Sequence, residues 1–233
     1  QEKYRRACLG DMVILLRSMT GWSETLVSVL MNEGIPARAQ TRTGYFSTTE
    51  VETVLSLLSV IDNPMQDIPL AAVLRSPVVG MSDDEMAWMM ASYKKNTKKG
   101  QDRGVYGAWK LWEEEREHPG LREALEHPGG AFENETGDPE DAVRIGAAVV
   151  PVEQAALIWK KLEDFGVLLK ELRTEARYRP IHELLYYVYR RSRYYDYVSA
   201  MPAGEIRRGN LDMLVEKAAA YEATSYKGLF HFV

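Results

Sequence analysis

The chain has 233 residues, of which 45% are hydrophobic, so it is long enough to bury one sizeable core or two small ones. Its net charge of -5 argues against a nucleic-acid binder that works by bulk positive charge, but permits a local basic groove. The single cysteine excludes an internal disulfide and a cysteine metal cluster, and no run approaches the roughly 18 apolar residues of a membrane-spanning helix.

The first 40 residues read as a strand, a helix and a second strand. Residues 11–17 (DMVILLR) are a continuous apolar run, typical of a strand buried in a parallel sheet. Residues 22–32 have helical spacing, and Gly34 is placed to end that helix. Residues 35–37 begin a second short strand. This order is the unit of a doubly wound α/β domain. Because the chain starts at Gln1 without a signal-peptide pattern, we expect a cytoplasmic piece of a longer protein.

Two helices separated by a break are predicted between residues 44 and 82. Thr48 and Thr49 start the first helix, whose apolar face is Val51, Leu55, Leu58 and Ile61. Asn63-Pro64 ends it, because proline cannot continue a helix. The second helix closes at Ser76-Pro77, and Gly80 offers a backbone that another molecule can approach closely.

From Ser82 onward the pattern predicts helices joined by polar loops. Ser82 and Glu85 have the spacing of a capping box. The first helix after this box contains Met86, Met89 and Met90, and further helices are predicted at residues 109–117, 141–179 with a break near Pro151, 181–198 and 210–223.

Several stretches have both a binding and a structural interpretation. The basic run 94–103 (KKNTKKGQDR) is either a solvated loop or a phosphate contact. The aromatic pair Tyr45-Phe46 either stacks on unpaired bases or packs against other apolar residues, and the two interpretations are equally favoured. Arg17, at the end of the first predicted strand, is either a ligand-binding group or, as the residues alone favour, a surface arginine that caps the strand end. The methionines after Ser82 form either core or a docking face, with core favoured. Tyrosines and arginines in 181–198 either hold a single strand or pack as a half-buried helix, which is favoured. Four scattered histidines without paired spacing predict no metal site.

The segment from Tyr45 to Gly80 resembles the second motor domain of UvrD-like superfamily 1 DNA helicases. The family's aromatic pair, Glu-hydrophobic pair, Asn, Asp, Pro and Gly fall in register at Tyr45, Phe46, Glu50, Val51, Asn63, Asp67, Pro77 and Gly80. The runs IDNPMQDIPLAAVLRSP and YVSAMPAGEIRRGNLDMLVEKAAAYEATSYKGLFHFV are similar to the AddA (or RexA) type of helicase/nuclease within that family.

This resemblance implies a mainly α fold. A partial RecA-like α/β segment (domain 2A) would span residues 1–80, an all-helical insertion (domain 2B) residues 81–225, and a return to 2A residues 226–233. Isolated from the rest of 2A, the first segment would leave apolar sheet edges uncovered.

The resemblance also assigns roles to individual residues. Arg17 matches the arginine that contacts the ATP γ-phosphate, and its fork suits that role. Leu16 stands where relatives often have a tyrosine that stacks on adenine, and Arg75 stands where they have an asparagine near the single strand. The positions implied for DNA contact are Gly44, Tyr45, Phe46, Arg75, Ser76, Gly80, Lys94, Lys95, Lys98 and Lys99.

The function implied is that of a fragment of an ATP-dependent DNA helicase/nuclease acting in double-strand-break repair and recombination. The parent would use ATP and magnesium, contact single-stranded and junction DNA, and assemble with a partner helicase/nuclease subunit of the B type. Because the sequence has no GxxxxGK[ST] loop, the fragment alone is expected to bind no cofactor and to be inactive. The alternative is a helical docking module for the partner subunit without direct DNA contact.

Overall fold

The computed structural model describes residues 5–15, 22–37, 45–94, 104–115, 142–223 and 228–232. Within these ranges, none of the helices combines the length and the apolar character that crossing a bilayer requires. The prediction of a mainly helical fold is confirmed, because these residues form ten α-helices and one two-stranded sheet. The elements are α1 (Ser23–Asn32), α2 (Thr49–Asp62), α3 (Asp67–Arg75), α4 (Asp83–Lys94), α5 (Gly104–Glu114), β1 (Ala142–Ile145), β2 (Ala148–Pro151), α6 (Val152–Glu175), α7 (Ile181–Ser192), α8 (Tyr194–Ala200), α9 (Gly204–Glu222) and α10 (Leu229–Phe232).

The helix pair α2–α3 forms as the sequence predicts. Val51, Leu58 and Ile61 are buried on one face of α2, and the helix ends at Asp62, before the Asn63-Pro64 break. The Asn63 side chain accepts a hydrogen bond from the Met65 backbone at 3.0 Å, which shapes the turn into α3.

Helix α1 ends where predicted. Gly34 has a φ of +75°, and the Gly34 and Ile35 amides donate to the Met31 and Leu30 carbonyls at 3.0 and 2.8 Å. This pair of bonds is a Schellman motif, which favours glycine because its φ is left-handed.

Neither of the two predicted N-terminal strands is present in the described residues. Leu9–Asp11 is a short 3-10 turn. Met12 to Leu15 follow without a neighbouring strand and are 59–90% exposed. Residues 35–37 are irregular. A strand buried on both faces needs neighbouring strands and covering helices, and no other part of the described chain supplies them here.

A β-hairpin replaces the first part of the helix predicted at residues 141–179. Strand β1 pairs antiparallel with β2, with Ala142 opposite Pro151 and Ile145 opposite Ala148. The β-branched residues in both strands favour this structure. The turn uses Gly146 at a φ of +54°, and a Cβ there would lie 2.5 Å from the Ser92 carbonyl. Glycine is therefore required at this position.

The tyrosine-rich helix predicted at residues 181–198 is two helices, and the last long helix starts earlier than predicted. Arg193 has a left-handed φ of +56° between α7 and α8. Helix α9 begins at Gly204, where a Cβ would lie 2.1 Å from the Ser199 carbonyl. The tight turn before α9 thus depends on a glycine, whereas an arginine in the left-handed region gives no signal in the sequence.

One hydrophobic core joins the elements on both sides of residue 80. Leu58 and Leu74 from α2 and α3 belong to the same buried cluster as Trp112, Ile158 and Leu214. The predicted domain boundary at residue 80 stays a prediction, since a continuous core neither requires nor excludes it.

Truncating this core should destabilise the chain much more than truncating its surface. Leu58 is fully buried, so Leu58→Ala removes apolar contacts and leaves a cavity, and we expect a loss of about 2–5 kcal/mol in the free energy of unfolding. The matched control is Leu157→Ala on α6, where the side chain is 51% exposed and the change should stay within about 0.5 kcal/mol. Urea unfolding measures both, and equal losses would contradict the assignment of the core.

Candidate nucleic-acid interface

The residues predicted to contact DNA or ATP fall on four parts of the chain, and the structure describes residues in three of them. Tyr45 and Phe46 precede α2, while Arg75, Ser76 and Gly80 lie in the turn between α3 and α4. Lys94 is the last residue of α4, and the structure does not describe its side chain. The remaining predicted positions are outside the described residues: Leu16, Arg17, Gly44, Lys95, Lys98 and Lys99.

The aromatic pair packs edge to face and rests on helix α9. The ring centroids of Tyr45 and Phe46 are 5.0 Å apart with planes inclined at 76°. The Tyr45 hydroxyl donates to the Asn210 carbonyl at 2.7 Å, and burial, followed by the charges of Glu50 and Glu216, raises the pKa of Tyr45. Phe46 remains 52% exposed. Tyr45 therefore anchors the pair, whereas Phe46 presents an aromatic surface to solvent.

A buried carboxylate beside this pair joins α2 to α9. The Glu50 side chain, only 3% exposed, accepts hydrogen bonds from Arg207 Nη1 at 2.8 Å and Asn210 Nδ2 at 2.7 Å. Arg207 also donates to the Pro202 carbonyl at 3.1 Å. A buried charge is tolerated only when it is paired and hydrogen-bonded, so these contacts fix how the two helices meet.

In the turn after α3, the predicted contact residues Arg75, Ser76 and Gly80 differ in how accessible they are to a ligand. Arg75 forms an ion pair with Asp83 at 2.7 Å in which both side chains are mostly exposed, so its charge is only weakly held. The buried Ser76 hydroxyl donates to the Val73 carbonyl at 2.7 Å and accepts from the Val78 amide at 3.2 Å. Ser76 thus ends the helix locally. Gly80 has a φ of +74°, and no atom of the described residues lies within 4 Å of where a Cβ would be.

Lys161 of α6 holds this turn in place. Its Nζ donates to the Gly80 carbonyl and to both Glu85 carboxylate oxygens, each at 2.8 Å. Glu85 also accepts from the Ser82 amide at 2.7 Å while its own amide donates to the Ser82 hydroxyl, which confirms the predicted capping box. Burial alone would raise the pKa of Glu85, but these hydrogen bonds outweigh it and the pKa is lowered.

The tyrosine- and arginine-rich helices mainly pack against their neighbours. Arg191 is paired with Glu171 at 2.8 Å, and the Tyr195 hydroxyl donates to Asp212 at 2.9 Å. These helices line a cleft of about 600 Å³ whose charged residues have both signs. In the methionine-rich helix, Met89 is fully buried. The packing interpretation therefore holds for Arg191, Tyr195 and Met89.

The sequence reasoning missed the residues that organise these surfaces. Glu50 had a signal, because it lies four residues before Val54 and seven before Leu57, on the buried stripe of α2. An acid on such a stripe implies a buried partner. Arg207 and Lys161 had no signal, since their partners are distant in the sequence.

Comparison with known proteins identifies relatives along the whole chain, although no protein-family profile matches it. The A-type subunit of an ATP-dependent helicase/nuclease from Lachnoclostridium phytofermentans is 36% identical over 250 residues, covering 100% of the chain and 17% of the relative. The corresponding protein of a Thermoanaerobacter species is 37% identical over 232 residues, covering 100% and 15%. That of Bacillus cereus is 39% identical over 223 residues, covering 96% and 15%.

The relatives are all A-type (AddA) helicase/nuclease proteins. The predicted resemblance of the chain to that type is therefore confirmed. The chain spans about one sixth of the length of these relatives.

Breaking the buried ion pair should destabilise the chain strongly. Arg207→Met leaves the Glu50 carboxylate buried without its cation, so we expect a loss of about 3–5 kcal/mol. The combined Glu50→Leu, Arg207→Met variant should recover most of this loss, because no buried charge remains. Arg191→Met, which breaks an exposed pair, should cost at most about 1 kcal/mol. Chemical unfolding compares the variants, and equal costs for the two single arginine changes would contradict the role of Glu50.

The contact between Lys161 and Glu85 should depend on pH. Because the pKa of Glu85 is lowered in the folded chain, its stabilising effect is present above its unfolded pKa, about 4.5, and is lost as the pH falls through the folded value. Lys161→Met should cost about 1–3 kcal/mol at pH 7 and progressively less below pH 4.5. The neighbouring exposed Lys160→Met is the control. Urea unfolding from pH 7 to pH 3 tests this, and a cost that does not change with pH would refute it.

Proposed function

We propose that this chain is a segment of an ATP-dependent DNA helicase/nuclease that acts in double-strand-break repair and recombination in the cytoplasm. The observation that supports this most strongly is similarity to A-type helicase/nuclease proteins along the whole chain, at 36–39% identity. In this proposal the complete protein is the enzyme, and the chain supplies part of its motor domain 2A and its 2B insertion.

Within that protein, we propose that Arg17 and Leu16 form one wall of the ATP site. The guanidinium of Arg17 would bind the γ-phosphate oxygens through its planar fork. ATP and magnesium would be bound by the complete protein, and this chain alone would not hydrolyse ATP. The contacts of these two residues lie outside the described part of the structure.

DNA contact is proposed at the aromatic loop, at the turn after α3, and at the basic run that starts at Lys94. The exposed Phe46 ring can stack on an unpaired base. Arg75 is exposed enough to exchange Asp83 for a phosphate, since surface ion pairs contribute little. Although the Gly80 amide and carbonyl are hydrogen-bonded within the chain, the side of its Cα where a Cβ would lie is open among the described residues, so another molecule can approach there.

Docking of the B-type partner protein is a second candidate function. It is favoured by Leu157 and Val167, two apolar side chains of α6 that are 51% and 59% exposed. Such side chains are typical of surfaces that contact another protein, although single exposed apolar residues are common.

A salt titration distinguishes the two functions. Labelled forked DNA should bind the chain with a log affinity that falls linearly with log salt. Changing Lys94, Lys95, Lys98 and Lys99 to alanine should weaken binding and lower the slope by about 3 if each lysine contacts a phosphate. Fluorescence anisotropy measures both effects.

The matched control changes Lys160 and Lys170 of α6, two exposed lysines, to alanine and should leave the slope unchanged. An unchanged slope in the four-lysine variant would contradict the basic run as a DNA contact. Absence of DNA binding at low salt, together with capture of the purified B-type partner, would favour the docking function.

A further inference from the structure

A lysine from the far end of the chain completes the aromatic surface before α2. Lys217 Nζ lies 5.2 Å from the centroid of the Tyr45 ring and 5.6 Å from that of Phe46. Lys217 is exposed, and Phe46 is 52% exposed. We call these three residues the aromatic–lysine platform.

The platform is held by contacts that do not use its exposed groups. Asn210, whose carbonyl accepts the Tyr45 hydroxyl bond, and Lys217 are seven residues apart and therefore on the same side of α9. Glu50 ties Asn210 and Arg207 to α2. The Phe46 ring is thus held against Tyr45, and the α9 backbone at Lys217 is fixed, before any ligand arrives, which lowers the entropy cost of binding.

We propose that the aromatic–lysine platform binds one nucleotide of an unpaired DNA strand, with the base stacked on Phe46 and the adjoining phosphate paired with Lys217. This inference rests on the proposed DNA-handling function and adds a contact residue from α9. Stacking of a base on an aromatic side chain contributes about 1–3 kcal/mol. The contact of an exposed ammonium with aromatic rings is weak, so Lys217 can turn from the rings toward a phosphate at little cost.

The charges around the platform favour a single unpaired nucleotide over duplex DNA. Glu216 is exposed and near enough to contribute to the raised pKa of Tyr45, whereas the charge of Glu50 is balanced by Arg207. Among the described residues at the platform, the charges of Lys217 and Glu216 offset each other and give little net attraction for a polyanion. Recognition therefore depends on the face of the base, which is accessible only when the base is unpaired and unstacked.

The test compares two oligonucleotides with the same phosphates. A labelled oligo-dT and an abasic oligomer of equal length are titrated by anisotropy at several salt concentrations. Phe46→Ala should weaken binding of oligo-dT by about 5- to 100-fold and leave the abasic oligomer unchanged. Lys217→Met should weaken binding of both and lower the salt slope by about 0.7, the value for one single-strand phosphate.

Three further variants make the result specific. Lys217→Arg should retain the salt slope, because the charge is kept, and Glu216→Gln should strengthen binding of both oligomers. Lys170→Met on α6 is the control for loss of a surface lysine and should bind as the unchanged chain does. Thermal unfolding should give similar midpoints for all variants, since the substituted side chains are exposed or half-exposed.

The outcomes separate this inference from the proposed function. If the chain binds oligo-dT but Phe46→Ala and Lys217→Met bind it equally well, the platform is refuted and the DNA-handling function stands. If the chain binds neither oligomer at low salt, DNA contact by this chain is refuted together with the platform.

Discussion

The buried carboxylate of Glu50 is the constraint on which the arrangement of this chain depends. A charge that is 3% exposed must be compensated, and its compensation comes from Arg207 and Asn210, about 160 residues away in the sequence. No local structure can satisfy it. The position of helix α2 is therefore specified together with that of the last long helix, α9.

Helix α9 consequently connects several parts of the chain. Its backbone accepts hydrogen bonds from Tyr45 at Asn210 and from Tyr189 at Leu211, and its side chains supply Arg207 and Lys217. The same helix thus contacts α2, the aromatic loop and α7. A displacement of α9 would also move the Phe46 ring, because Tyr45 is hydrogen-bonded to Asn210 of α9 and packs against Phe46.

What the sequence predicts well is local. The ends of α2 and α3 follow from Asn63-Pro64 and Ser76, and the capping box at Ser82 forms as its spacing indicates. The predictions that were wrong concern segments whose structure depends on distant partners. Residues 11–15 have strand-like composition without a sheet to join, and 142–151 form a hairpin that packs on Ser92 where a helix was expected. For the candidate site, the motif points to Tyr45, Phe46 and Gly80, whereas Lys217 and Lys161 become visible only once the helices are packed. The binding roles of all the predicted site residues remain predictions.

The distance along the chain between Glu50 and its partners also has a consequence for biosynthesis. Arg207 follows Glu50 by 157 residues, so at about 5–20 residues per second the ribosome adds it about 8–30 s later. During that interval the Glu50 carboxylate has no arginine to pair with and remains in water. Contacts of such long sequence separation close late and slow the search for the native state. The face of α2 that packs on α9 therefore stays uncovered until α9 has been synthesised.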